Sequence, residues 1–258
     1  MLGSRNKLYY KQQGSGPPLL ILHGLFGSLD NWQSFARDLA GEFTVVTPDL
    51  RNHGKSFHHP DISYPLMADD VSDLIATLGI APCGIIGHSM GGKVAMELLI
   101  HNDNAVSRTM VLDIANRTYP PVHLPLLEAM RGLKLEEMET RGDIDSGLAK
   151  SIPDPAIRRF LLKNVDREPG GRFAWKLNLD ALFNNYERIA GGVHIHHPMA
   201  NDICFVRGSL SNYLGPEDVA SLKAIFPAAR FNTIEGAGHW IHADQPKKLL
   251  EMVRSFFR

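Results

Sequence analysis

Short apolar runs alternate with stretches of helical periodicity over the first 115 positions of the chain. Leu8–Gln12 and Leu19–Leu22 read as strands, separated by Gly14-Ser-Gly-Pro-Pro18, a turn-forming stretch. Trp32, Phe35, Ala36 and Leu39 recur at helical spacing, and Phe43–Thr47 predicts the next strand, ended by Pro48. Apolar positions 67, 71, 74, 75 and 78 predict a helix that Gly79 closes. Gly84-Ile-Ile-Gly87 is a further short strand, running through Gly87-His-Ser-Met-Gly-Gly92 into a helix over Lys93–His101. Thr109–Ile114 is another buried strand. This alternation predicts a mostly parallel sheet covered by helices on both faces.

The pattern then breaks. From Asn116 to about Met199 the sequence offers helical segments and no convincing strand, divided by Pro120, Pro121, Pro125, Pro153, Pro155, Pro169 and Pro198. Strand periodicity returns at Ile203–Arg207 and Arg230–Ile234, and Pro246–Phe257 closes the chain as an amphipathic helix. The expected organisation is one structural unit: a core of residues 1–115 and 200–258, interrupted by a helical cap over 116–199. No repeat, low-complexity tract or linker marks a second independent domain.

Composition narrows the function. The 258 residues are 44% hydrophobic and 21% charged with a net charge of −1, so no basic field invites nucleic acid. Cys83 and Cys204 sit in apolar runs and read as core thiols, and no Cys/His spacing suggests a metal or redox pair. His194, His196 and His197 have no matching carboxylate or thiol and read as a solvated segment. The start of the chain lacks the apolar core of a signal peptide, and its apolar stretch PPLLILHGLFGS is short and Gly-rich for a bilayer. A cytoplasmic protein with no stable membrane insertion and no metal or organic cofactor is the expectation.

Gly87-His88-Ser89-Met90-Gly91 is a G-x-S-x-G motif with a strand before it and a helix after it. That context is what a nucleophile elbow needs: a sharp strand-to-helix turn exposing a serine hydroxyl at the sheet edge. The helix start also brings unpaired N–H groups to the serine. His23-Gly24-Leu25-Phe26-Gly27 follows the second strand, where the N–H of Leu25 can pair with that of Met90 to hold an oxyanion. His23 is expected to brace that loop. Near the C-terminus, Gly236-Ala-Gly-His239-Trp240 offers a general base on a loop of small residues. By strand alternation His88 is expected to point away from Ser89, and His242 reads as a capping or packing residue.

These three motifs, in this order, resemble the α/β-hydrolase superfamily over nearly the whole chain. Asp49-Leu-Arg-Asn-His-Gly-Lys-Ser56, Val111-Leu-Asp-Ile-Ala115, Arg172-Phe-Ala-Trp-Lys-Leu-Asn-Leu179 and Gly238-His-Trp-Ile-His-Ala243 look like the bacterial YbfF-type esterases and their mitochondrial relatives of the ABHD11 type. The resemblance implies an α/β-hydrolase fold, with a mostly parallel eight-stranded sheet and a cap inserted after the sixth strand. It departs from the commoner superfamily pattern at one place. Gly208-Ser-Leu-Ser211 carries a serine where the triad aspartate usually lies, and a serine cannot stabilise an imidazolium as a carboxylate does.

Asp113 is the best replacement, near the carboxyl end of the strand that follows the elbow helix. Adjacent strands lie about 4.8 Å apart, so an acid one strand over reaches the His239 loop. YbfF-type esterases resemble this arrangement, with an assisting serine at the position of Ser211, which implies a tetrad of Ser89, His239, Asp113 and Ser211. Among the other acids, Glu217 and Asp218 look like first-turn helix residues, Asp202 begins its strand at the wrong edge, and Asp49 heads a structural turn.

The family resemblance implies a carboxylesterase acting on short acyl esters, with acyl-CoA thioesters as a second small-molecule substrate class. Phe26, Trp175, Leu177, Leu182 and Trp240 are candidates to line an apolar acyl site, with cap packing as their alternative role. A C–C bond hydrolase or lyase of the same fold and a non-catalytic ligand receptor are the rival readings.

Overall fold

A computed structural model describes residues 7–258. The strands are β1 (Tyr10–Gln13), β2 (Pro18–Leu22), β3 (Thr44–Pro48), β4 (Cys83–His88), β5 (Val106–Leu112), β6 (Val165–Arg167), β7 (Phe173–Trp175), β8 (Ile203–Gly208) and β9 (Arg230–Ile234). The helices are α1 (Gln33–Leu39), α2 (Tyr64–Leu78), α3 (Met90–Asn102), α4 (Leu124–Arg131), α5 (Arg141–Ala149), α6 (Pro155–Leu162), α7 (Leu179–Asn184), α8 (Tyr186–Ala190), α9 (Pro216–Ile225), α10 (Ile241–Asp244) and α11 (Pro246–Phe257). The main sheet runs β1-β3-β2-β4-β5-β8-β9, all parallel except β1, which pairs antiparallel with β3.

The strand alternation has a direct packing consequence. In β2, Leu20 and Leu22 join the core beneath α2, α3 and the inserted segment, while Leu19 and Ile21 join the opposite core with α1 and α11 residues. Ile85 and Ile86 of β4 divide the same way. Both faces are therefore dry, and each such side chain contributes roughly 1.5–3 kcal/mol by leaving water. Ser63 caps α2, its side chain accepting from the Leu66 N–H, and Gly79 ends that helix at φ 63°.

Two details differ from the sequence expectation. Among the described residues the sheet has seven strands, not the eight of the fuller superfamily pattern, and residues 116–199 follow the fifth described strand. The regular structure of 116–199 is mainly helical, but it also holds the small antiparallel hairpin β6–β7. Three-residue strands are too short to show alternation, which is why Phe173-Ala-Trp175 does not announce itself. No helix of the described residues is long and apolar enough to cross a membrane.

Candidate active site

The carboxyl ends of β2, β4, β5 and β8 gather the candidate residues at one sheet edge, the position where open parallel sheets present ligand sites. β4 ends at His88 and α3 begins at Met90, leaving Ser89 as the single turning residue with φ 52° and ψ −118°. A non-glycine residue held at positive φ carries strain of about 1–3 kcal/mol, sustained only by firm surroundings. Those surroundings are visible. The Ser89 N–H donates to Leu112 O at 3.0 Å, extending the sheet ladder through the turn. A Cβ on Gly91 would meet Leu22 O at 2.4 Å, and one on Gly87 would meet Gly91 O at 2.3 Å, so the elbow closes only with glycine at both positions.

Asp113 stands one residue beyond β5, also at positive φ (53°), with its N–H donating to Val206 O at 2.8 Å. Its carboxylate is fully buried and accepts from the Gly208 N–H at 3.1 Å, from the Ser211 hydroxyl, and from His239 Nδ1 at 2.7 Å. A buried charge needs such donors to offset its desolvation. Because the carboxylate accepts at Nδ1, that nitrogen carries the proton and Nε2 is left as the free basic lone pair. Tyr213 lies flat against the His239 ring, 3.9 Å between centroids.

Ser89 and His239 border one largely apolar cavity of about 300 Å³, together with Leu25, Phe26, Phe160 and Trp240. Phe26 sits at φ 59° in the loop after β2, whose turn is closed by Gly27 N–H to Gly24 O at 2.9 Å. Asn164, buried in the inserted segment, donates from Nδ2 to Phe26 O at 2.7 Å and ties that segment to the loop. Neither the Leu25 nor the Met90 N–H donates to an acceptor among the described residues. Trp175, Leu177 and Leu182 lie elsewhere. Trp175 and Leu177 border a separate shallow depression beside Met130, and Leu182 is fully buried packing. Their sequence signal, large apolar side chains in the insertion, does not separate cavity walls from the core that holds the insertion together.

Six histidines surround the site, His239 among them, and each makes a hydrogen bond or a ring stack. His23 Nδ1 donates to Gly24 O at 2.8 Å while its Nε2 accepts from the Leu50 N–H at 2.9 Å, bracing the loop as expected. That pattern needs a neutral ring, and burial pushes its pKa down to about 4. His53 is lowered to about 3 by burial and by His23 beside it. His88 does not point away: it borders the Ser89 cavity and donates from Nε2 to His239 O at 2.8 Å, positioning the loop. Burial and the neighbouring His239 hold it well below its ordinary value. His242 stacks on Trp32 at 4.2 Å and is lowered to about 4 by burial and by His239.

Tyr213, His123 and Trp32 were not legible as site residues, since nothing local marks them. His242 had a usable signal: it lies three positions after His239, in the first turn of α10. The other acids keep structural roles. Asp49 accepts from the Leu29 and Lys55 N–H groups, Asp218 pairs with Arg117, and Asp202 bonds Arg230 at the start of β8.

A seven-stranded parallel-dominated sheet, a serine at a strained strand–helix turn and a carboxylate-paired histidine on the same edge define an α/β hydrolase, and the chain belongs to that family. The family model for the alpha/beta hydrolase fold matches residues 17–146. Over 93% of its length the chain is 38% identical to the sn-1-specific diacylglycerol lipase ABHD11 of Mus musculus, covering 80% of that protein. It is 34% identical to Esterase YbfF of Escherichia coli, covering 95% of each chain. A solved structure described as a marine microorganism esterase is 39% identical with a TM-score of 0.95, over 97% of this chain and 99% of that one.

Proposed function

We propose that this carboxylic-ester hydrolase works through a serine acyl-enzyme, with Ser89 as nucleophile, His239 as general base and Asp113 as the acid that orients it. The observation that carries the reading is the buried Asp113–His239 contact of 2.7 Å on the same cavity as Ser89. His239 Nε2 takes the Ser89 proton as Oγ attacks the acyl carbon. The N–H groups of Leu25 and Met90 receive the oxyanion, aided by the start of α3. The alcohol departs with the proton from His239, and water, activated the same way, releases the acid. Ser211 supports the carboxylate through its hydroxyl. Residues 116–199 act as a cap on the core formed by 1–115 and 200–258, with Phe26 and Trp240 on the substrate cavity. Thioesters fit the same chemistry.

Relatives named as esterase and lipase favour small-molecule ester substrates. The test is hydrolysis of p-nitrophenyl acetate and butyrate with fluorophosphonate labelling. Turnover and labelling, both lost in Ser89→Ala, are expected. Turnover that survives in Ser89→Ala would overturn the assignment.

A further inference from the structure

Two chambers meet at Ser89, and the proton carrier faces only one of them. The larger, about 300 Å³, is bordered by His239 together with Ile157, Phe160 and Trp240. The smaller, about 40 Å³, is bordered by Met90, Lys93, Tyr64 and Ile189. Ser89 and Leu25 belong to both, whereas His239 belongs to the larger alone. The smaller chamber holds about three times the space one water needs, enough for a short chain of a few atoms.

Resting on the serine-esterase reading above, we propose that the smaller chamber is the acyl subsite and that its end wall, built on Lys93, restricts the enzyme to short acyl groups. The argument is one of proton delivery. When the tetrahedral intermediate collapses, the carbon–oxygen bond to the alcohol breaks and the Ser89 ester bond remains. The departing oxygen needs the proton on His239 Nε2, so the alcohol arm occupies the chamber that His239 borders. The acyl arm, bonded to Ser89 Oγ with its oxygen on the Leu25 and Met90 N–H groups, turns the other way.

The end wall is fixed. Lys93, one helical turn past Ser89 and 1% exposed, donates from Nζ to Gly191 O at 2.5 Å and Ala190 O at 3.4 Å. Its ammonium lies 4.7 Å from the Tyr119 ring centroid and 5.4 Å from that of Tyr64. The Tyr64 hydroxyl donates to Ile189 O at 2.5 Å. With these polar groups committed to backbone carbonyls, an acyl chain meets a wall that does not yield to length.

Two ester series read the assignment: p-nitrophenyl esters from acetate to decanoate, and acetates of alcohols from methanol to naphthol. Expected is a kcat/KM that falls at least ~10-fold from butyrate to octanoate, as a lost near-attack geometry would give, while the acetates tolerate large alcohols. Ile189→Ala should move the acyl optimum upward, and Phe160→Ala should change the alcohol series only. An acyl optimum at octanoate or longer in the wild type would overturn the proposal, whether or not the variants fold. So would an acyl optimum moved by Phe160→Ala and untouched by Ile189→Ala. Absence of turnover on every ester, with Ser89 unlabelled by a fluorophosphonate, would instead strike down the serine-esterase reading and this assignment with it.

Discussion

The sheet edge and the cap are held in place by different kinds of bond. At the edge, Ser89 and Asp113 hang on backbone hydrogen bonds that continue the ladder, to Leu112 O and Val206 O. Residues 116–199 are joined to the rest by side chains reaching across to carbonyls, Asn164 to Phe26 O, Lys93 to Gly191 O and Tyr64 to Ile189 O, beside backbone bonds from the Asn178 N–H to Asn52 O and the Met199 N–H to Ile225 O. A ladder is cooperative and tolerates substitution of side chains, whereas one mutation removes a side-chain tie such as that of Asn164, Lys93 or Tyr64. On the proposed assignment the reacting groups sit on the resistant ladder, and the wall of the acyl chamber sits where side-chain ties from α2 and α3 meet residues 189–191.

The largest effect that would break this comparison lies at the edge. Asp113→Asn should lower kcat about 10⁴-fold, since an amide leaves His239 in the wrong tautomer. Circular dichroism and Tm should show the fold retained. An Asp113→Asn enzyme within tenfold of wild type would mean that another carboxylate supports His239.

Acidification tests both halves together. His23, His123 and His242 are held to about 4 and His53 to about 3 by burial, while an unfolded histidine titrates near ~6.5. Below about 6.5 the unfolded chain binds protons that the folded chain refuses, so stability is full above that pH and is lost as pH falls towards 4. Each histidine contributes up to about 1.4 kcal/mol per pH unit. Urea titrations between pH 7 and 4.5 measure the slope. His123→Gln, in the cap, should flatten it by that residue's share and leave the contribution of the core histidines.

Asn164→Ala sharpens the contrast, because it cuts a cross-tie and touches no reacting group. It leaves the Phe26 carbonyl without its donor in a buried place, a cost of about 1–3 kcal/mol. A lowered Tm with a kcat loss larger on bulky alcohols than on small ones is expected. An unchanged Tm would mean that the tie is not holding the loop. Ser211→Ala should do least to turnover: it removes one hydrogen bond to the Asp113 carboxylate, worth about 1.5–3 kcal/mol, and the acceptor of the Tyr213 N–H, with kcat reduced roughly tenfold.

The same division explains what could be read from the sequence. The strands and long helices were legible because burial on both faces writes continuous apolar runs into β2, β4, β5 and β8. Ser89 and the loop of His239 were legible because their backbone geometry demands glycines, which mark the chain locally. Asp113 was singled out from its strand position together with the family resemblance, since all parallel strands end on one edge. The pairing of Tyr213 with His239, the turn of His88 towards the cavity and the cross-tie from Asn164 join residues far apart in sequence. Such contacts leave no periodicity and no spacing. Trp175, Leu177 and Leu182 misled for the complementary reason: packing a small cap and lining a cavity require the same residue types.

If Asp113 at the end of β5 is the acid, as proposed, the loop after β8 carries no carboxylate for His239. It brings a hydroxyl, from Ser211, and braces the segment leading to His239 through the Leu210 N–H to Ala237 O and the Gly236 N–H to Ser209 Oγ, while the Leu210 side chain is 74% exposed. For anyone remodelling the molecule, that loop is an insertion point beside the reacting groups. A graft there lengthens the rim, provided it keeps the bond from the Leu210 N–H to Ala237 O, two residues before His239.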